Sequence, residues 1–413
     1  MYNKTNNIGA RSKKESKMKV LEINSVCGIR STGRICTDIA EVLEKNGHQC
    51  KIAYGREEVP RKYQRYAIRI GNSMSVKVHA LESRVLDNAG LGSKKSTRKF
   101  LKQIDDFQPD IIHLHNLHGY YLNIVELFEY LKANRIPVVW TLHDCWGFTG
   151  HCAYFDYIKC EKWKKDGCNH CKQKSRYPKS YLMDNSYKNY TIKKKIFCNL
   201  EKMQLISPSY WLAELVKESF LKEYPIHVIP NGIDLEIFSP TKSNFRKKYG
   251  LERKKILLGV ASNWEGRKGI KDFIHLSKII DNNYKIVLVG VSDRDKEKLP
   301  INILGINKTN NPNELAEIYT AADVFINPTY EDNFPTTNLE ALACGTPVIT
   351  YNTGGSVESI NKNNGLIVEK GNISQLYSAI KTIDSRNFDI KLRKEWDKNY
   401  SYQKYLKIYE ELL

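Results

Sequence analysis

Apolar positions along the chain fall into short strand-length runs that alternate with stretches of helical periodicity. Residues 20–24 read as a strand, 32–46 as a helix stopped by Gly47, and 49–54 as a second strand, together one β-α-β unit. Residues 110–115 and 137–141 predict two further strands on either side of a helix at 122–134, and 205–209 predicts a strand and turn before a helix at 211–222. Strands follow at 256–261, 285–290, 323–327 and 347–350, with helices at 270–280 and 314–320 and an amphipathic tail at 400–413. Strands alternating with helices call for parallel sheets covered on both faces, an α/β architecture. The chain has 413 residues, enough for two cores. The Pro230-Asn231-Gly232 turn marks the crossing between them. The expected partition is a disordered basic tail at 1–17, a first domain at 18–230, a second at 231–395 and a returning helix at 396–413. Residues 56–99 are basic and weakly patterned, consistent with helices and loops lining a cleft.

A hydrophobic content of 41% with 27% charged residues is that of a soluble globular protein. No run reaches the roughly 20 apolar residues of a membrane span. The formal charge of +19 points to an anionic partner surface: nucleic acid, a sugar nucleotide or the inner leaflet of a membrane. Lysine is dispersed over the whole chain, which argues against a dedicated nucleic-acid stripe, and lysine bias of the genome accounts for the charge equally well.

Candidate chemistry concentrates at 329–358, where an acidic loop turns through Phe334-Pro335 into a short helix, breaks at Gly345 and runs through a strand into Gly354-Gly355. That order makes a site at the carboxyl edge of a parallel sheet. Thr336 and Thr337 fall in the first helical turn, where free N–H groups and the positive dipole end favour a diphosphate. Asp332 and Glu340 are carboxylates suited to sugar hydroxyls. Arg267 and Lys268 precede the helix at 270–280, where two cations can neutralise a departing diphosphate. The glycine-rich turn 28–34, with Ser31, Thr32 and Gly33, lets backbone amides approach a phosphate or sugar. His143-Asp144 follows a strand at its carboxyl end, a ligand-bearing position in open sheets. His113, His115 and His118 are read as polar cleft residues rather than as a catalytic metal set.

These motifs resemble those of retaining GT-B glycosyltransferases: the acidic-x7-Glu pattern ending at Glu340, the Asn333-Phe334-Pro335 turn and the Ala-Cys-Gly-Thr-Pro exit at 343–347. The resemblance runs from about Met18 to the carboxyl end. It implies two Rossmann-like domains facing a cleft, with a terminal helix crossing back to the first. It also implies that Glu340 binds the nucleotide ribose, that His143 contacts the donor sugar, that Lys268 and Arg267 hold the diphosphate, and that Asn333, Phe334 and Pro335 belong to the donor site. The first acidic position is Asp332, preceded by Glu331, and either carboxylate can face the sugar. An arginine that the family places five residues before Lys268 is Asn263 here. Ser31-Thr32-Gly33-Arg34 and the Thr141-x-His143-Asp144-x-Trp146 run are similar to the capsule and exopolysaccharide branch, which implies transfer to a saccharide or lipid-linked saccharide acceptor. The implied donor is a UDP- or GDP-linked sugar, with no cofactor required for catalysis. The implied location is the cytoplasm, with peripheral contact to the anionic inner membrane and no nucleic acid.

Cys152, Cys160, Cys168 and Cys171 are spaced C-x7-C-x7-C-x2-C inside an insertion at 145–175. Three states are compatible with this spacing: a structural zinc site, free or redox-labile thiols, and disulfides. Two readings compete with an active transferase. One is a sugar-nucleotide binder that has lost catalysis; the other is a zinc-knuckle nucleic-acid-binding protein using Lys159, Lys162, Trp163, Lys164 and Lys165.

Overall fold

The computed structural model describes residues 17–165, 167–264, 266–386 and 388–413; the expected tail at 1–17 lies almost wholly outside them. Two all-parallel sheets form the framework. The first contains β1 (Lys19–Asn24), β2 (Gln49–Tyr54), β3 (Ala67–Arg69), β4 (Ile111–Leu114), β5 (Val138–Thr141), β6 (Met203–Ser207) and β7 (Ile226–Val228). The second contains β8 (Lys255–Val260), β9 (Tyr284–Val289), β10 (Ile303–Ile306), β11 (Val324–Asn327), β12 (Val348–Tyr351) and β13 (Gly365–Val368). Strand order is 3-2-1-4-5-6-7 in the first and 10-9-8-11-12-13 in the second. Each sheet therefore reverses direction once, between β1 and β4 and between β8 and β11, and these reversals open the crevices in which such sheets bind ligands.

The central strands are near-continuous apolar runs because helices cover both faces. Leu21, Ile23, Ile112, Leu114, Val138 and Trp140 fill one face of the first sheet. Val20, Ile52, Ile111, Val139 and Ile206 fill the other, where the terminal helix Lys398–Leu412 inserts Tyr402, Tyr405, Leu406 and Tyr409 beside Cys36 and Ile39. The last element of the chain thus completes the core of the first domain, which clamps the two sheets together.

Several expected boundaries shift. The first helix begins at Arg30, so Ser31, Thr32 and Gly33 occupy its first turn rather than a preceding loop. Left-handed Gly28 (φ +71°) turns the chain early, and a Cβ there would meet the Tyr63 ring at 2.5 Å. The helix expected at 211–222 is Tyr210–Lys217; the Ser219 hydroxyl donates to the Val216 carbonyl at 2.8 Å and accepts from Leu221 N at 3.1 Å, competing with the helical ladder. The helix expected at 270–280 ends at Leu276. The weakly patterned stretch 56–99 holds the edge strand β3 and the helix Ser73–Leu86, whose start carries a reciprocal Asn72–Ser75 capping box.

Candidate active site

The switch point of the second sheet gathers the acidic loop and the basic turn. The turn Gly266–Lys268 follows β8 and the 328–335 loop follows β11. Lys268 Nζ lies 2.5 Å from Asp332 Oδ2. Burial lowers the Lys268 pKa, and the Asp332 carboxylate works against that shift. Arg267 donates from Nη1 to the Glu331 carbonyl at 3.1 Å, and its guanidinium stands 5.7 Å from the Tyr154 ring centre. The helix Thr336–Ala343 starts after Pro335 with no side-chain cap, which leaves first-turn N–H groups for a ligand. Gly354 and Gly355 allow the loop to pass close: a Cβ on either would sit 2.1 Å from the Asp332 carbonyl or 2.0 Å from that of Asn333.

Glu340 lies on this helix, 2% exposed. Its Oε2 accepts from the Tyr319 hydroxyl at 3.1 Å and its Oε1 faces Arg34 Nη2 of the first domain at 3.4 Å. Glu331 is buried as well. Its Oε1 accepts Tyr157 N at 3.2 Å and its Oε2 is 3.8 Å from Arg176, so both partners come from the cysteine-bearing insertion and its flank. Burial raises the Glu331 pKa, against the pull of Tyr157 N–H and Arg176. Of the two acids, Asp332 is the one paired with the lysine. Asn333 is 3% exposed, and its amide bridges the domains by accepting from the Ser209 hydroxyl at 2.5 Å and donating to the His143 carbonyl at 3.1 Å. Phe334 is core, and its carbonyl accepts from Asn231 at 3.0 Å. Thr32 Oγ1 is 3.4 Å from Asn24 Nδ2, and Gly33 lies against the Val26 carbonyl, so this turn is packed tightly under the first-domain rim.

His143 emerges from β5 on the face shared by Glu22, His113, His115 and Thr141, since alternate residues of neighbouring parallel strands point the same way. His143 Nε2 lies 3.0 Å from His115 Nδ1, and His115 Nε2 lies 3.0 Å from Glu22 Oε2. His113 bonds Thr141 at 2.8 Å and the Tyr409 hydroxyl at 2.7 Å. His113 and His115 are therefore buried supports beneath the site, a correction to their expected place on the cleft wall. Burial lowers the His143 pKa to about 4, so its ring is neutral near pH 7 and serves as a hydrogen-bonding group. His118 joins Asp144 at 2.8 Å and Tyr177 at 2.9 Å. Asp144 also accepts Trp146 N at 2.9 Å, which shapes the loop after His143.

Within the insertion, Cys152 and Cys171 sulfurs are 3.5 Å apart and Cys168 Sγ accepts Gly150 N at 3.1 Å. Cys160 and Cys168 are half-buried at the edge of the first core. Among the described residues, Glu22, His113 and His115 are the one set with three ligand atoms within 4.8 Å of one another. Both His113 nitrogens are already engaged, by Thr141 and Tyr409, while Glu22 Oε2 and His115 Nε2 face each other at 3.0 Å.

Sequence reasoning did not find Glu22, Arg34 as a partner of Glu340, Tyr157, Arg176 or Ser209. Glu22 carried a signal, a carboxylate among the apolar residues of β1, and Arg34 another, its place in the Ser31-Thr32-Gly33-Arg34 run. The others act through contacts between distant segments.

The region 32–237 matches the family model described as Glycosyltransferase Family 4, and 241–401 matches Glycosyl transferases group 1. The chain belongs to these group 1 glycosyltransferases, and its two facing sheets are the GT-B fold. It is 26% identical over 292 residues to a colanic acid biosynthesis glycosyl transferase of Escherichia coli, covering 66% of this chain and 67% of that protein. It is 28% identical over 221 residues to the N,N'-diacetylbacillosaminyl-diphospho-undecaprenol α-1,3-N-acetylgalactosaminyltransferase of Campylobacter jejuni, covering 49% and 58%. Such matches span about half to two thirds of the relatives' lengths. A Rickettsia africae glycosyltransferase superposes with a TM-score of 0.65 at 18% identity over 96% of this chain and 98% of that one. HepE of Anabaena in complex with UDP-glucose gives 0.61 at 15% identity over 96% and 98%.

Proposed function

We propose that this glycosyltransferase moves a sugar, with retention of anomeric configuration, from a UDP- or GDP-linked donor to a saccharide or lipid-linked saccharide in cell-surface polysaccharide assembly. One observation carries the reading: Lys268, the uncapped helix start at Thr336 and the carboxylates of Asp332 and Glu340 converge at the sheet's switch point. Lys268 and the helix N–H groups bind the diphosphate, and Glu340 takes the ribose when Arg34 swings to the phosphates. Asp332 releases Lys268 and turns to the sugar, and neutral His143 accepts or donates a hydrogen bond beside the reacting carbon. The bond from the anomeric carbon to the diphosphate oxygen breaks while the acceptor oxygen bonds to the same face. The acceptor proton passes to the departing phosphate oxygen, so no enzymic nucleophile or divalent metal is needed. Closure of the domains limits hydrolysis. The relatives named for colanic acid and for an undecaprenol-diphosphate acceptor favour a surface-glycan substrate.

Membrane contact is supported by an apolar strip on the first domain. The helix Ser73–Leu86 leaves Met74, Val78 and Leu81 exposed, and Leu182 and Met183 lie beside its end, tied by Tyr181 N to the Arg84 carbonyl at 2.7 Å. Exposed Lys77, Arg84, Lys179 and Lys188 rim the strip, a combination suited to an anionic bilayer. Tyr177, bonded to His118, joins this surface to the site.

The stereochemical claim is tested by NMR of the first-formed linkage, or of the sugar released by slow donor hydrolysis. The donor's own anomer is expected, and the opposite anomer refutes retention.

A further inference from the structure

We infer that Cys152, Cys160, Cys168 and Cys171 bind one zinc ion, and that the metal holds the insertion as a clasp over the donor site proposed above. The Cys152–Cys171 separation of 3.5 Å is close to the edge of a tetrathiolate tetrahedron, about 3.8 Å for Zn–S bonds of about 2.3 Å. Gly150 N–H is aimed at the Cys168 sulfur at 3.1 Å, the donor that a metal-bound thiolate takes from the backbone. A separate observation supplies the charge. Lys193 is 1% exposed, its Nζ donates to the carbonyls of Trp146 and Thr149 at 2.8 and 2.9 Å, and it forms no ion pair among the described residues. Burial works against its charge, and Cys168, Asp87, Asp144 and Cys152 act to keep it. A buried ammonium with no direct ion pair is costly, and four thiolates around one divalent ion add two negative charges close to it. Binding releases the four thiol protons.

The clasp follows from where the ligands fall. Between Cys145 and Asn185 the described residues form only short 3-10 turns, a long irregular excursion with no strand ladder among them. Strung between Cys152 and Cys160 are Asp156, 2.5 Å from Lys370, and Tyr157, whose N–H meets Glu331 at 3.2 Å; Arg176 follows Cys171 and also reaches Glu331. Cys160 and Cys168 stand outside the Cys152–Cys171 contact, and the ion draws them in, shortening the loop on both sides of the Glu331 contacts.

Metal analysis of the full-length protein, purified without added chelator, should give one zinc per chain. Exchange with Co²⁺ alone should produce thiolate charge-transfer bands and the intense visible bands of tetrahedral cobalt. Cys160→Ser and Cys168→Ser should lose the metal although neither belongs to the close pair. Stripping zinc should weaken UDP or GDP binding about tenfold, the loss of one or two hydrogen bonds, with recovery on adding Zn²⁺. Substoichiometric zinc, a Cys152–Cys171 disulfide found by thiol counting, or octahedral cobalt spectra overturn the site, and the cobalt measurement needs no variant to fold. Full zinc with unchanged nucleotide affinity overturns the clasp. Full zinc with no nucleotide binding at all sinks the donor-site reading and leaves the metal site standing.

Discussion

Arg34 in the first domain and Glu340 in the second are 306 positions apart and meet at 3.4 Å between Nη2 and Oε1. The carboxylate is buried and the arginine is 41% exposed, so the pair marks the line where the two halves close. Arg34→Ala should loosen closure and leave Glu340 its hydrogen bond from Tyr319. The expected outcome is a donor KM raised about tenfold with a smaller fall in kcat, as for loss of one charge-assisted hydrogen bond. Steady-state kinetics at fixed acceptor reads the split. An unchanged KM contradicts a role at closure.

Lys268 is asked to stabilise charge that develops on the departing diphosphate. Lys268→Ala should therefore lower kcat by about 10²- to 10³-fold, the scale of losing one preorganised electrostatic partner. Asp332, released from its lysine, should leave the fold intact, which circular dichroism and the melting temperature check.

Acid should unfold this protein through its histidines. Burial lowers His79 and His143 to about 4 and places His113 and His115 well below the usual histidine range. An unfolded histidine titrates near pH 6.5, so the unfolded chain binds more protons between pH 6.5 and 4 and stability falls as pH drops through that window. Each histidine contributes up to about 1.4 kcal/mol per pH unit. Asp38, raised to about 6 by burial against the pull of Lys398, acts in the opposite direction between about pH 4 and 6. Melting temperature against pH should slope downward toward acid, and His113→Gln should flatten that slope.

Membrane docking should depend on both the apolar strip and its basic rim. The triple substitution Met74→Ser, Leu81→Ser, Leu182→Ser removes side chains that are 66%, 63% and 70% exposed, so stability should hardly change. Cosedimentation with anionic vesicles should fall sharply in this variant and in high salt, while zwitterionic vesicles should bind little of either protein. Equal binding of the triple variant refutes this surface.

Much of the framework was legible because parallel strands buried on both faces leave continuous apolar runs, as in Ile256 to Val260, and because Gly345 and Pro335 punctuate the site helix. Strands β3, β7, β10 and β13 escaped notice; all four are sheet edges and only three or four residues long, so their patterns are weak. The donor-side residues Lys268, Asp332 and Glu340 were visible because one loop and one helix start carry them. The partners that complete the site were not. Arg34 reaches Glu340, Tyr157 reaches Glu331 and Ser209 reaches Asn333 only once the two sheets face each other. His115 was visible as a residue, but its place beneath His143 depends on strand register, which sequence periodicity leaves open.

The central claim is that a nucleotide sugar occupies the crevice between β8 and β11. Calorimetric titration with UDP, GDP, ADP and their sugar conjugates tests it most directly. One base should bind selectively, and both Glu340→Ala and Lys268→Ala should weaken that binding while melting close to the parent protein. Absence of binding by every nucleotide, or binding untouched by both substitutions, would contradict the account.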